Sequence, residues 1–170
     1  MHLTSHHRSR PIWRDDLAAF VPPQDLPFGM VVAGAANGAM TLSAAIKDAH
    51  AAATAIATDL GAGGATGAVP QASDEDFDIK PFLHVSQSKK RAWVDLQNDV
   101  TTKDVKQSYQ EGFRSVEHLK RYTTLGMSTD QGKTSNILGL ALMTEATGKT
   151  IEDTGTTIFR QPYNLSLIHI

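Results

Sequence analysis

A loop with two glycines carries the most chemically suggestive residues of this 170-residue chain. It reads Gly126-Met-Ser-Thr-Asp-Gln-Gly-Lys-Thr-Ser135 and precedes a predicted helix. A loop that opens a helix presents backbone N–H groups and the positive end of the helix dipole, which favour an anion such as phosphate. Lys133 adds a cation, Thr134 and Ser135 add hydroxyl donors, and Arg121 lies on the preceding predicted helix. These residues could together hold a phosphate group, and ordinary N-terminal helix capping is the alternative interpretation of the same pattern. It is not a P-loop, because that spacing requires glycine where Met127 lies.

A second glycine turn, Gly34-Ala-Ala-Asn-Gly38, follows the continuous apolar run Gly29-Met-Val-Val-Ala33. Such a run predicts a short strand that is buried on both faces. Gly34 and Gly38 allow a close backbone approach to a ligand, and Asn37 can hydrogen-bond a ribose or an amide. Tight packing of a helix on a strand uses the same spacing, so the turn by itself is a weak signal.

Other polar residues offer weaker candidates for chemistry. Asp95 and Asp130 can be interpreted as a carboxylate pair for acid–base work or a hard cation, but helix caps and loop hydrogen bonds are the favoured interpretation. The cluster His6-His-Arg8 lacks a third metal ligand at a suitable spacing and is interpreted as solvated surface. His118 is expected to be an exposed or capping histidine.

The composition excludes several classes of function. The net charge of −2 gives no basic field for nucleic acid, and the absence of cysteine excludes disulfides, iron–sulfur ligation, zinc-thiolate sites and a cysteine nucleophile. The first ten residues lack the apolar core of a secretory signal, and no apolar run approaches the ~20 residues of a membrane span. A cytoplasmic location is therefore expected.

The predicted elements fall on either side of a flexible segment. Apolar residues at helical spacing from Leu42 to Leu60 predict one helix after the first glycine turn. Residues 61–80 are rich in glycine and then acidic, which predicts a linker. Beyond the linker, a strand is predicted at 91–96, followed by a helix that Thr101 and Asp104 cap and Gly112 ends. A second helix over 116–124 is capped by Ser115, and a third extends over 131–147. A short helical turn capped by Thr150 and Asp153 comes last.

Specific blocks of sequence resemble one known family. The quoted blocks are Val31-Val-Ala-Gly-Ala-Ala-Asn-Gly-Ala-Met-Thr-Leu42, Val94-Asp-Leu-Gln-Asn-Asp-Val-Thr101, Glu111-Gly-Phe-Arg-Ser-Val-Glu-His-Leu-Lys-Arg-Tyr-Thr-Thr-Leu-Gly-Met127, Thr129-Asp-Gln-Gly-Lys-Thr-Ser-Asn136 and Gly155-Thr-Thr-Ile-Phe-Arg-Gln-Pro-Tyr163. They are similar to the alpha subunit of heterotetrameric, flavin-dependent sarcosine oxidase. The resemblance covers essentially residues 1–163 and implies an internal fragment that is not active alone.

The resemblance implies an α+β, mostly α-helical chain with four parts. Residues 1–60 would be the C-terminal part of an FAD/NAD-type dinucleotide-binding domain, with its strand, glycine turn and helix, and residues 61–80 the flexible linker. Residues 81–163 would be a small helical domain that resembles an iron–sulfur (BFD-like) domain without its cysteines. Its four cluster positions are occupied here by Asp95, Gln97, Asp130 and Ser135. Residues 164–170 contain Leu165-Ser-Leu-Ile-His-Ile170, which matches a translated sequencing adapter and is expected to be an artefactual tail.

In that family, sarcosine is oxidatively demethylated to glycine, with tetrahydrofolate as the one-carbon acceptor. The resemblance implies NAD and FMN in the assembled enzyme, no iron–sulfur cluster and no zinc, and as partners the beta subunit and the other subunits, without nucleic acid or membrane. The expected cofactor contacts are Gly34, Ala35, Asn37, Gly38, Met40, Arg121, Thr123, Thr124, Gln131, Gly132, Lys133, Thr134 and Ser135. No residue is expected to be catalytic.

Two alternatives remain open from the sequence. The first is an alpha subunit of a related opine, proline or cyanide-forming amine dehydrogenase. The second is a non-catalytic helical module for subunit interaction, which the lack of an obvious base, nucleophile and acid set favours for the isolated chain.

Overall fold

The computed structural model describes residues 2–6, 9–27, 29–63 and 67–158. The proposed surface cluster at His7 and Arg8 and the proposed tail at 164–170 lie outside the described residues. The chain divides into two compact units, of which the first ends at Lys80 and the second begins at Pro81. Helices predominate and the sheets are small, so the expected α+β, mostly α-helical class is confirmed.

The first unit contains a two-stranded antiparallel sheet beside one long helix. Strands β1 (Ile12–Arg14) and β2 (Ala19–Val21) pair with Ile12 opposite Val21, and a 3-10 turn, Asp15–Leu17, joins them. Trp13, Leu17 and Val21 are buried. The chain begins with a short helix, α1 (His2–His6).

The predicted buried strand at 29–33 is wrong. Its described residues adopt no regular structure, and Val31 is 54% exposed. A strand buried on both faces needs neighbouring strands on either side, and the described sheet of this unit consists of β1 and β2 alone. The glycine turn that follows is a 3-10 helix, Gly34–Asn37.

The predicted helix beyond that turn is confirmed as α2 (Leu42–Asp59). The Thr41 hydroxyl caps it by accepting a hydrogen bond from the Ala44 N–H at 3.2 Å. Its apolar positions are poorly covered, since Leu42 is 56% exposed and Ile56 is 42% exposed. Residues 67–80 contain no helix or strand, and most of them are exposed.

The described part of the second unit contains four helices and a short β-hairpin. Its elements are β3 (Trp93–Asp95), β4 (Val100–Thr101), α3 (Thr102–Gln110), α4 (Val116–Thr123), α5 (Asn136–Thr147) and α6 (Ile151–Thr154). Helix α3 contacts both α4 and α5. The core of this unit consists of Val94, Val100, Val105, Leu119, Leu125, Leu142 and Met143.

The predicted helix caps of the second unit are confirmed. The Asp104 carboxylate accepts hydrogen bonds from the N–H and the hydroxyl of Thr101, both at 2.7 Å. The hydroxyl bond, above all, lowers the pKa of Asp104. Ser115 accepts from the His118 N–H at 3.2 Å, and Thr150 accepts from the Asp153 N–H at 3.1 Å.

The third predicted helix begins later than expected, at Asn136 and not at Gln131. Gln131 has φ of 52° and Gly132 has φ of 73°, and these left-handed conformations cannot continue a right-handed helix. Residues 128–135 therefore form a series of turns before α5. Among the described helices, none is both long and apolar enough to cross a membrane.

Candidate functional site

A buried carboxylate fixes the start of the loop between α4 and α5, residues 124–135 (the 124–135 loop). This loop contains residues 126–135, the stretch predicted to bind phosphate. Asp95 is 2% exposed and lies at the end of β3. Its Oδ1 accepts hydrogen bonds from the N–H groups of Gln97 at 2.9 Å and Asn98 at 3.2 Å, whereas its Oδ2 accepts from the Gly126 N–H at 2.8 Å. One side chain thus closes the β3–β4 turn and joins it to the 124–135 loop.

A second contact joins the same two segments. The Asn98 side-chain amide donates to the Thr124 carbonyl at 2.9 Å. Thr124 has φ of 62°, a left-handed conformation that is unfavourable for a β-branched residue. The contacts of Asp95 and Asn98 hold the backbone in this unfavourable conformation, so the loop is strained at Thr124.

The second half of the loop folds around Asp130. Its Oδ1 accepts from the Gly132 N–H at 3.1 Å, its Oδ2 accepts from the Thr134 hydroxyl at 3.3 Å, and its carbonyl accepts from the Lys133 N–H at 3.2 Å. The Ser135 N–H donates to the Gly132 carbonyl at 3.2 Å. Four of the backbone N–H groups expected to converge on an anion, those of Gln131, Gly132, Lys133 and Ser135, therefore donate to acceptors within the loop.

The Asn136 side chain occupies the space between the two loop glycines. Its Nδ2 donates to the Gln131 carbonyl at 3.2 Å. A Cβ atom built on Gly126 would lie 2.4 Å from Asn136 Oδ1, and one built on Gly132 would lie 2.1 Å from it. Both positions therefore need glycine, since each combines this approach with a left-handed backbone.

The side chains of the loop retain some polar capacity. The Ser135 side chain is 1% exposed, and the structure records no hydrogen-bond partner for its hydroxyl. Lys133 is half-buried and Thr134 is exposed. An orphaned buried hydroxyl is costly, which makes it a marker for a missing partner.

The preceding helix α4 contributes the other expected contacts. The side chain of Arg121 is 66% exposed, lies 3.6 Å from the Glu117 carboxylate and donates to the Glu117 carbonyl at 3.3 Å. The Thr123 hydroxyl donates to the Leu119 carbonyl at 2.7 Å and accepts from the Leu125 N–H at 3.2 Å. Thr123 is thus occupied in ending the helix.

The first glycine turn is held by a carboxylate on α2. The Asp48 Oδ2 accepts from the Gly34 N–H at 2.8 Å and from the Asn37 amide at 3.3 Å. The Gly38 N–H donates to the Ala35 carbonyl at 3.1 Å, and a Cβ on Gly38 would lie 2.9 Å from the Leu17 side chain. The close approach at Gly38 is therefore to the protein's own core.

The thirteen expected site residues fall into two groups. Gly34, Ala35, Asn37 and Gly38 form the first turn, with Met40 just beyond it, and these belong to the first unit. The other eight lie on α4 and the 124–135 loop of the second unit, which brings them together.

Sequence reasoning missed the residues that shape both groups. They are Asp48, Asn98 and Asn136, together with the anchoring role of Asp95. The partners of Asn98 and Asp95 are 26 and 31 residues away in the chain, and no local pattern indicates such contacts. Within the described ranges, no group of three or more histidine, cysteine, aspartate or glutamate residues is placed to hold a metal ion.

Comparisons with known proteins agree on one family. Residues 89–170 match the family described as the sarcosine oxidase A3 domain. The sarcosine oxidase subunit alpha of Rhizobium meliloti (strain 1021) is 39% identical over 165 residues, which are 96% of this chain and 17% of that protein. The corresponding subunit of Corynebacterium sp. (strain P-1) is 33% identical over 172 residues, covering 96% of this chain and 18% of that protein. The chain therefore spans less than a fifth of the length of these relatives.

A solved structure of another protein shares the fold. The crystal structure of L-proline dehydrogenase from P. horikoshii superimposes with a TM-score of 0.62 at 19% sequence identity. The superposition covers 88% of this chain and 32% of the dehydrogenase chain.

Proposed function

Since the chain belongs to the family of sarcosine oxidase alpha subunits, we propose that it contributes a flavin-phosphate contact to an enzyme of this kind. The reaction proposed for the assembled enzyme is oxidative demethylation of sarcosine to glycine, with tetrahydrofolate accepting the one-carbon unit. The chain by itself is proposed to be inactive. A cytoplasmic location is proposed with it.

The observation that carries this proposal is the strained geometry of the 124–135 loop. Thr124 and Gln131 both have left-handed backbones, with φ of 62° and 52°. Strained non-glycine residues cluster at ligand clamps and active sites, because surrounding contacts must hold them in place. Here the contacts of Asp95, Asn98 and Asp130 hold this loop.

The donors proposed for the phosphate of FMN are side chains, because the loop's backbone N–H groups already donate locally. Lys133 supplies the charge, and Ser135 supplies a buried hydroxyl for which the structure records no partner. Thr134 can turn its hydroxyl from Asp130 to the anion, since that hydrogen bond is long at 3.3 Å. Lys133 is also needed to offset the negative charge of Asp130, which opposes an anion.

The bound flavin would supply the redox chemistry, whereas this chain's residues would fix its position. A phosphate held by Lys133 and Ser135 anchors one end of the cofactor to a loop that is rigidly braced by Asp95. Arg121 and the Thr124 hydroxyl would act from the end of α4, once Arg121 leaves its two contacts with Glu117 and the Thr124 hydroxyl leaves the Thr123 carbonyl.

The proposed partner is the beta subunit. Exposed apolar side chains in and next to the 124–135 loop support the proposal that the beta subunit covers this surface. Leu96 follows the anchoring Asp95 and is 79% exposed, and Met127 follows Gly126 and is 57% exposed. The Asp95–Gly126 hydrogen bond brings these two segments together. Large apolar side chains that cluster on a surface mark interaction sites.

An NAD contact at the first glycine turn is a weaker part of the proposal. Asp48 already accepts from Gly34 and Asn37, and Gly38 packs against Leu17. Ala35 and Met40 would then have to contact the NAD. Only the membership of the family supports this contact.

We also propose that the second unit keeps the scaffold of a cluster-binding domain. Asp95, Asp130 and Ser135 lie around one loop, which supports the alignment of these positions with cysteine ligands. The related amine dehydrogenases and a purely structural interaction module are the alternatives. Association with a beta subunit that does not depend on FMN would favour the interaction module.

The test of this proposal is the substitution Lys133→Ala in the chain assembled with a sarcosine oxidase beta subunit. The loss of one charge-assisted contact with phosphate should weaken FMN binding roughly ten- to a hundredfold. Lys133→Arg should restore part of the affinity, because a planar fork replaces a compact charge. The measurement is the FMN dissociation constant, obtained from flavin fluorescence.

Lys149→Ala is the matched control, since Lys149 is an exposed lysine just beyond the end of α5. It should leave the FMN dissociation constant unchanged. Equal affinity of Lys133→Ala and the unsubstituted chain would remove the phosphate site from this loop.

A further inference from the structure

The second unit contains a cavity that takes no part in the proposed cofactor site. It is partly open to solvent, where Val85 and Trp93 are exposed, and has a volume of about 190 Å³ between residues 83–88, the hairpin strand β3 and helix α5. Its walls are mainly apolar and include Trp93, Val94, Leu138 and Leu142. None of the residues that line it belongs to the 124–135 loop.

The volume of this cavity matches a small ring compound. An engineered protein cavity of about 150 Å³ with apolar walls binds benzene. A space of about 190 Å³ therefore accommodates one six-membered ring with a substituent. It is too small for a dinucleotide or a flavin, since pockets for drug-sized ligands span roughly 300–1,000 Å³.

A histidine with a fixed orientation gives the cavity a specific polar group. His84 lines the cavity, and its Nδ1 lies 2.8 Å from Oε2 of Glu145 on α5. The His84 side chain is 15% exposed. In the neutral ring, donation from Nδ1–H to this carboxylate leaves Nε2 as a hydrogen-bond acceptor.

Two hydroxyl groups complete the polar part of the lining. Ser88 and Thr102 both line the cavity, and their backbone N–H groups already donate to the carbonyls of Val85 and Ala92. Each hydroxyl can donate and accept. The cavity thus combines apolar walls with an oriented acceptor, the combination that fixes the position of a small ligand in a binding pocket.

We propose that this cavity binds a small neutral aromatic compound that carries one hydroxyl or N–H donor. Its ring lies against Trp93, Leu138 and Leu142, and its donor bonds to His84 Nε2. The site is independent of the flavin contact, because the two share no residue.

The test is a titration of the 170-residue chain with phenol, followed by the NMR signals of its methyl groups. Phenol should shift the signals of Val94, Leu138 and Leu142 saturably in the millimolar range. Toluene has the ring without the donor and should bind about fivefold more weakly, the loss expected for one hydrogen bond. His84→Phe keeps a ring of similar size and should abolish the preference for phenol over toluene.

Ala92→Leu places a larger side chain in the lining and should abolish binding of both compounds. If this variant does not fold, the affinities of His84→Phe for phenol and toluene test the proposal instead. Three results would each overturn the proposal: no saturable shift of the lining methyl groups, shifts centred on other residues, or a preference for phenol that survives His84→Phe.

Discussion

Replacing Asp95 with alanine is expected to lower the free energy of unfolding of the second unit by about 3 kcal/mol or more. The carboxylate is 2% exposed and accepts from three backbone N–H groups, those of Gln97, Asn98 and Gly126. Its removal leaves the N–H groups of buried Gly126 and half-buried Asn98 without an acceptor, and each such group costs about 1–3 kcal/mol. Urea unfolding, followed by Trp93 fluorescence in a Trp13→Phe background, measures the loss in this unit.

The variant Asp95→Asn should lie between alanine and the native residue. The amide oxygen of asparagine can still accept from the N–H groups that face it, but its NH₂ group, itself a donor, then faces the remaining N–H donor. Asp76→Ala is the control, because Asp76 is an exposed carboxylate in the extended segment before Pro81. It should change stability by less than about 0.5 kcal/mol. An Asp95→Ala variant as stable as this control would show that Asp95 does not anchor the loop.

The substitution Gly132→Ala is expected to destabilise the second unit by about 2–3 kcal/mol and to distort the 124–135 loop. Gly132 has φ of 73°, where an L-residue is strained. A Cβ there would also lie 2.1 Å from Oδ1 and 2.4 Å from Cγ of Asn136. Because the side chain of Asn136 must move, its hydrogen bond to the Gln131 carbonyl should be lost as well.

The variant Gly148→Ala separates backbone strain from the steric clash, the two causes of the destabilisation expected for Gly132→Ala. Gly148 has φ of 69° but nothing within 4 Å of a Cβ built on it, so its replacement adds backbone strain alone. It should cost about 1 kcal/mol. The double variant Gly132→Ala with Asn136→Ala removes the clash and should cost less than the sum of the single variants. Equal losses at Gly132 and Gly148 would contradict the close approach of Asn136.

Local sequence signals were sufficient for the helix ends that depend on nearby side chains. Thr101, Ser115 and Thr150 cap their helices as predicted, because a capping hydrogen bond spans only three residues. The start of α5 was placed too early because Gln131 has a left-handed backbone, which its residue type does not indicate. The strand predicted at 29–33 failed because burial on both faces depends on neighbouring strands and not on the run itself.

The contacts that shape the candidate site could not be predicted from the sequence, and its role as a phosphate site stays a prediction. The residue types and spacing of the 124–135 loop indicated polar chemistry, and the structure brings eight of the expected residues to this loop and the adjoining helix α4. The contacts that shape it come from Asp95 and Asn98, 31 and 26 residues away from their partners. The expected cradle of backbone N–H groups was wrong, since Asp130 and the loop's own carbonyls accept from them.

Hydrogen exchange of the chain in complex with a sarcosine oxidase beta subunit, with and without FMN, tests the central proposal most directly. FMN held by Lys133 and Ser135 should slow exchange of the amides in the 124–135 loop by at least about tenfold, because it restricts opening of the loop. The amides of α6 (Ile151–Thr154) should be unaffected. Saturation with FMN that leaves exchange in this loop unchanged, while amides elsewhere are protected, would contradict a flavin-phosphate contact here.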